Sequence, residues 1–166
     1  MPTKIGGGNK MQEYDPSTGR YGCGVSGYTK SYERSQVLYE RYMASNGTYK
    51  TSKSMPNYKR AITNDDKFVK YSLNEDHQAG KHKAKVYKKV LGYDSHNYSS
   101  LKNQIHNSVT SGKATLISIR KNQYDVIEYK YIIDVTGPNG NTAKVVAIYG
   151  INKKSSRPYM ITNYVK

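Results

Sequence analysis

Tryptophan is absent from this 166-residue chain, while phenylalanine and cysteine each occur once. A single thiol, Cys23, excludes an intrachain disulfide framework and any zinc site built on several thiolates. Its Gly-rich surroundings, RYGCGVSGY, read as an unreactive position. Acidic residues are scarce as well: 12 Asp and Glu stand against 27 Lys and Arg, a formal charge of +15. They form no pair of the kind that glycoside or two-metal chemistry needs. No apolar run approaches the roughly 20 residues of a spanning helix, and mean hydropathy is −0.86. No cationic-then-apolar segment opens the sequence. The expectation is therefore a chain without a membrane partner, working in the cytoplasm of a bacterium or a host cell.

The basic excess points to a polyanion, because it raises the local concentration of nucleic acid and speeds its capture. Tyrosine, with 18 copies, is the aromatic of this chain. Tyr rings stack on bases and their hydroxyls bond phosphates, which suits single-stranded RNA. Tyr also replaces Phe in small cores and on strands.

Residues 1–30 read as a flexible tail punctuated by glycine, with a turn sequence at EYDPSTGRYG. Residues 31–65 read as a helix plus a polar connector. The helix, Ser31 to Ala44, has a narrow apolar stripe of Val37, Leu38, Tyr39 and Tyr42 and a stop at Asn46-Gly47. Residues 66–166 read as a basic α+β domain, in which Asp66 to Leu73 fits either a short helix or an extended arm. Ala84, Tyr87, Val90 and Leu91 recur at helical spacing up to Gly92. A second helix spans about Tyr98 to Val109, capped by Asp94 or Ser95, with Leu101, Ile105 and Val109 inward. Strand patterns follow at Ala114–Arg120, Ile127–Val135, Ala143–Gly150 and Tyr159–Val165. Within TGPNGN, Asn139-Gly140 is the expected positive-φ pair of a hairpin. The predicted core is two helices followed by a four-stranded antiparallel meander. One sheet face packs on the helices, and the other is open or partly covered by residues 31–75.

Five side chains concentrate where a polar turn enters the first of these helices: His77, Lys81, His82, Lys83 and Lys85. A cationic helix start beside two imidazoles can hold a phosphate and move a proton. No P-loop, dinucleotide fingerprint or nucleophile elbow occurs. His96 and His106 share no metal-ligand spacing and read as surface residues. No metal and no cofactor is expected.

The string YxLNxxHxxGxxKAxVYxxxLGY (Tyr71 to Tyr93), followed by GPNG and a terminal RPYMITNYV, resembles a bacterial and phage-borne domain family of unassigned function. The turn string YDPSTGRY resembles junctions that precede toxin-like domains in phage head proteins. The helix–helix–four-strand order is similar to the barnase/EndoU/colicin/RelE-like ribonucleases, which cut RNA without metal and include toxins with dedicated immunity partners. These resemblances imply His77 as acid or base, with Lys83 and Thr162 stabilising the charged transition state. Lys81, His82, Lys85 and Arg157 would contact substrate. Against each role stands a simpler one: a helix-capping ring for His77, a solvated face for Lys83, β propensity for Thr162 and a loop charge for Arg157. The leading expectation is a metal-independent RNA-cleaving toxin or effector acting on RNA, with tRNA a candidate, an acidic immunity partner and delivery by a phage particle or toxin system. The alternatives are a non-catalytic nucleic-acid-binding or phage accessory protein, and an inhibitor of a host nucleic-acid enzyme.

Overall fold

A computed structural model describes residues 27–48 and 55–166, and the backbone of two short strands, Tyr14–Asp15 (β1) and Arg20–Tyr21 (β2). These two pair antiparallel, Tyr14 with Tyr21 and Asp15 with Arg20. The rest of the expected tail up to residue 26, Cys23 included, lies outside the described residues. The described residues from Tyr28 onward belong to the fold. Thr29 accepts from the Tyr32 amide as the helix cap, and its hydroxyl donates to the Ser155 carbonyl at 2.6 Å.

Helix α1 runs Lys30–Ala44 and turns inward Tyr32 and Ser35. Leu38, Tyr39 and Tyr42 pack against the core from its margin. Val37, expected in the apolar stripe, is 45% exposed. The buried ridge instead follows residues 32, 35 and 39, because the small Ser35 accepts a bond from the Tyr129 hydroxyl at 2.8 Å. Tyr129 belongs to the helix-facing side of the sheet, so α1 lies with the other helices and does not cover the opposite face.

The segment after α1 is part of the same core, which includes Met55, Ala61, Phe68 and Leu73. It contains a 3-10 turn, Tyr58–Arg60, and a parallel bridge between Ile62 and Tyr159. The stretch left open as helix or arm is a π-helix, Phe68–Ser72, closed by Leu73 N donating to the Phe68 carbonyl. Helices α2 (Lys81–Leu91) and α3 (Tyr98–Thr110) follow, each closed by a left-handed glycine, Gly92 and Gly112. Asp94 and Ser95 do not cap α3; the N-cap is Asn97. The Asn97 carboxamide ties the loop, accepting from Asp94 N and donating to the Gly92 carbonyl.

Strands β3 (Thr115–Lys121), β4 (Ile127–Thr136), β5 (Thr142–Ile151) and β6 (Tyr159–Val165) form an antiparallel sheet in sequence order. The fold is α+β: the two helices expected before the meander are α2 and α3, and the helix read apart from them, α1, packs on the same sheet. Tyr129, Tyr131, Ala147 and Tyr149 face the helices. Of the six most buried tyrosines, Tyr87 donates to Asn163 at 2.7 Å, Tyr32 to the Asp125 carbonyl and Tyr93 to the Thr136 carbonyl. Burial holds Tyr87, Tyr129 and Tyr149 well above the ordinary phenol range, so they remain neutral donors.

The β4–β5 hairpin differs from expectation at one residue. Only Gly140 has positive φ (86°), and Gly140 N donates to the Gly137 carbonyl across Pro138 and Asn139. Pro138 at the second position of this four-residue turn suits type I geometry, which needs no left-handed Asn139. Gly137 is the tighter constraint, since a Cβ there would lie 2.0 Å from the Leu91 carbonyl oxygen, joining the hairpin to the end of α2. Gly137→Ala is therefore expected to destabilise by at least about 2 kcal/mol. Gly140→Ala, which meets open space, should cost only about 1 kcal/mol for its left-handed backbone. Urea midpoints of the two variants check this ordering, and a reversed order contradicts it.

Candidate functional site

The entry to α2 is shaped by a close backbone approach. A Cβ on Gly80 would lie 2.1 Å from the Tyr71 carbonyl oxygen, so only glycine lets the π-helix lean on the start of α2. Between them Asn74 folds the chain, its Oδ1 accepting from Asp76 N and its carbonyl from His77 N. His77 then caps the turn: its Nδ1 accepts from Ala79 N at 3.0 Å and Gly80 N at 2.9 Å. Two N–H donors on Nδ1 require its lone pair there, so the proton of the neutral ring is on Nε2.

This approach places the Tyr71 ring between His77 and Lys83. The Tyr71 and His77 rings meet edge-on at 4.8 Å. Lys83 Nζ lies 4.6 Å from the Tyr71 ring centre and 5.4 Å from that of Tyr164, and it donates to Thr162 Oγ1 at 2.7 Å. Asn163 faces Tyr87 in the core, so its neighbours Thr162 and Tyr164 point to the other side of β6. Lys83 thus reaches past the β6 edge into a cradle of two aromatic faces and one hydroxyl. Ion pairs among the described residues engage other cations: Lys70, Lys88, Lys102, Arg120, Lys144 and Lys153. None of their carboxylates pairs with Lys83. The first turn of α2 also lacks any acidic residue, so its free amide groups add to the positive potential.

Lys83 and Thr162 are therefore brought together directly, and His77 joins them through Tyr71. Lys81, His82 and Lys85 are exposed on the solvent side of α2. Arg157 is elsewhere. Its Nε donates to the Arg60 carbonyl at 2.7 Å, before the start of β6. The sequence reading missed the roles of Tyr71 and Tyr164, although both stand in the quoted motif strings. It also placed His106 on the surface, whereas the ring is half-buried and its Nδ1 meets Thr63 Oγ1 at 2.9 Å. Thr63 in turn bonds the buried Tyr149 hydroxyl at 2.5 Å.

Burial, followed by the nearby Lys102 and Arg157 charges, holds the His106 imidazole below its ordinary range. The unfolded chain, titrating near the usual value of about 6.5, takes up that proton first as pH falls. Stability is then lost on descending through about pH 6.5, and this loss ends below the lower folded value. His106→Gln is expected to flatten that acid-side fall in urea-midpoint measurements. Parallel pH profiles for variant and parent would contradict the environment assigned to this ring.

No helix among the described residues is long and apolar enough to cross a membrane. Comparison with known proteins finds no match among curated proteins and none among solved structures. A family model does match, over residues 54–166, which is more than half of the chain and takes in every residue of the Lys83 cradle. The chain belongs to the DUF6883 family, a domain of unknown function.

Proposed function

We propose that this chain binds single-stranded RNA and cleaves it without a metal, with Lys83 receiving the phosphodiester. The observation that carries this reading is the Lys83 ammonium held on Thr162 Oγ1 between Tyr71 and Tyr164, with no carboxylate among the described residues paired with it. A cation poised on π faces and a hydroxyl is pre-oriented yet uncompensated, so an incoming phosphate completes it. Tyr71 and Tyr164 offer stacking faces for the flanking bases, at about 1–3 kcal/mol per base. As the 2'-oxygen attacks phosphorus, its proton passing to solvent and the bond to the 5'-oxygen breaking, negative charge builds on the non-bridging oxygens, which Lys83 and Thr162 are placed to stabilise. Lys81, His82 and Lys85 lie on the approach and draw the backbone in. The +15 charge supports this use and also fits an acidic immunity partner, in keeping with a toxin or effector role.

His77 has a defined part in this scheme. With Nδ1 committed to two amides, its Nε2–H is a donor toward a phosphate oxygen or leaving group. Acting as a base through Nε2 would require the other tautomer and the loss of both amide contacts. That same observation favours a second reading, a nucleic-acid-binding accessory protein that grips RNA at Lys83 and performs no chemistry.

Incubation with tRNA and total RNA in EDTA separates the two. Cleavage by the parent chain is expected, and Lys83→Met should reduce it by about 10²-fold or more. Intact RNA together with salt-sensitive binding supports the accessory reading. Intact RNA and no binding removes both.

A further inference from the structure

Along the same β6 strand, in the direction of its start, a second group of cations gathers around His106. The segment carrying Arg60 and Thr63 is fixed beside residues 158–160, with Ile62 N donating to the Pro158 carbonyl and Met160 N to the Ile62 carbonyl. The Arg60 carbonyl anchors Arg157 through one guanidinium nitrogen, Nε, and this bond does not use the two terminal nitrogens. Thr63, three residues on, anchors His106. Lys102 stands one turn before His106 on α3, so the two share a helix face. One acidic group belongs to this set: Asp65 pairs with Lys102 at 2.6 Å. Two cations against one carboxylate leave the group positive.

The polarity of the His106 ring follows from the buried relay behind it. Tyr149 is fully buried, and Thr63 is the hydroxyl it meets. When the phenol donates to Thr63 and Thr63 donates to His106 Nδ1, each proton of the chain is used. His106 Nε2–H is then the ring's remaining donor, and Lys102 and Arg157 lie close enough for their charges to act on the ring. A donor held by a buried hydroxyl relay between two cations is a receptor for an oxyanion, and it needs no protonation of the imidazole.

We propose that Arg157, Lys102 and His106 Nε2–H form a second phosphate-binding point, which holds a flanking phosphate of the RNA strand engaged at Lys83. This rests on the reading of Lys83 as the first such point. Arg157 precedes Thr162 by five positions, so their backbones are at most about 18 Å apart. A strand of a few nucleotides spans that interval. The second point sets a minimum substrate length: a short oligonucleotide fills the Lys83 cradle alone, and a longer one fills both.

Anisotropy titrations of a uridine dinucleotide and a uridine dodecamer over a salt series test this. Arg157→Gln is expected to lower the dodecamer's log K against log salt slope by about 0.7, one phosphate contact on a single strand. It should leave the dinucleotide unchanged, and Arg157→Lys should restore the slope. Lys83→Met should lower the slope for both ligands. His106→Asn leaves the Arg157–Arg60 contact in place and is expected to weaken the dodecamer severalfold without affecting the dinucleotide, so the proposal stays testable if Arg157→Gln unfolds. A dodecamer indifferent to Arg157→Gln and His106→Asn but sensitive to Lys83→Met overturns the second point and leaves the first. Failure of the parent chain to bind either ligand overturns both.

Discussion

The contact between the Gly80 backbone and the Tyr71 carbonyl is the constraint on which the candidate site depends. With no Cβ at Gly80, the π-helix and the first turn of α2 come within van der Waals distance. Tyr71 is thereby held against His77 on one side and under Lys83 on the other. The π-helix contributes by widening the turn that carries Tyr71, a distortion often found where a side chain must be re-aimed. Lys83 then extends to β6, and Thr162 and Tyr164 complete the surround from the final strand. Two consecutive elements and a strand 79 positions on from Lys83 meet at one ammonium group.

The core that supports this arrangement is unusually rich in hydroxyls for a small domain. Buried tyrosines supply the apolar volume that Phe and Trp supply elsewhere, and each brings an oxygen that must be bonded. Ser35, Thr63 and Asn163 meet three of them. These partners come from α1, the connector and β6, so the phenols join the outlying elements to the sheet as well as filling its face. Among the described residues charge is kept outside: their core cluster holds no ionisable acid or base apart from neutral tyrosines. A surface so positive repels itself, and binding a polyanion would relieve that repulsion.

Much of the fold was legible in the sequence because its signals are periodic. The 3.6-residue spacing of Ala84, Tyr87 and Leu91, and that of Leu101, Ile105 and Val109, gave both central helices, and alternation gave four strands to within a residue or two. What escaped was aperiodic or long-range. The π-helix at Phe68–Ser72 has no repeat to detect, and the Ile62–Tyr159 bridge joins residues nearly a hundred positions apart. Val37 misled because burial of α1 follows Ser35, a residue that carries no apolar signal. Within the site, Lys83 and Thr162 were identified from motif strings, and their meeting rests on the sheet register. Arg157 was placed with them because it is close in sequence, but its anchor at Arg60 holds it at the far end of β6. His106 looked like a surface residue because the groups that hold it, Thr63 and Tyr149, lie on opposite sides of it in the chain.

The central claim is that single-stranded RNA enters the Lys83 cradle with its bases against Tyr71 and Tyr164. Photocrosslinking a 5-bromouridine oligonucleotide to the protein, with crosslinked peptides mapped by mass spectrometry, tests it directly. The account predicts adducts on Tyr71 and Tyr164, lost in Lys83→Met. Adducts confined to tyrosines remote from the cradle, such as the exposed Tyr124 of the β3–β4 loop, and unchanged by that substitution, would contradict it.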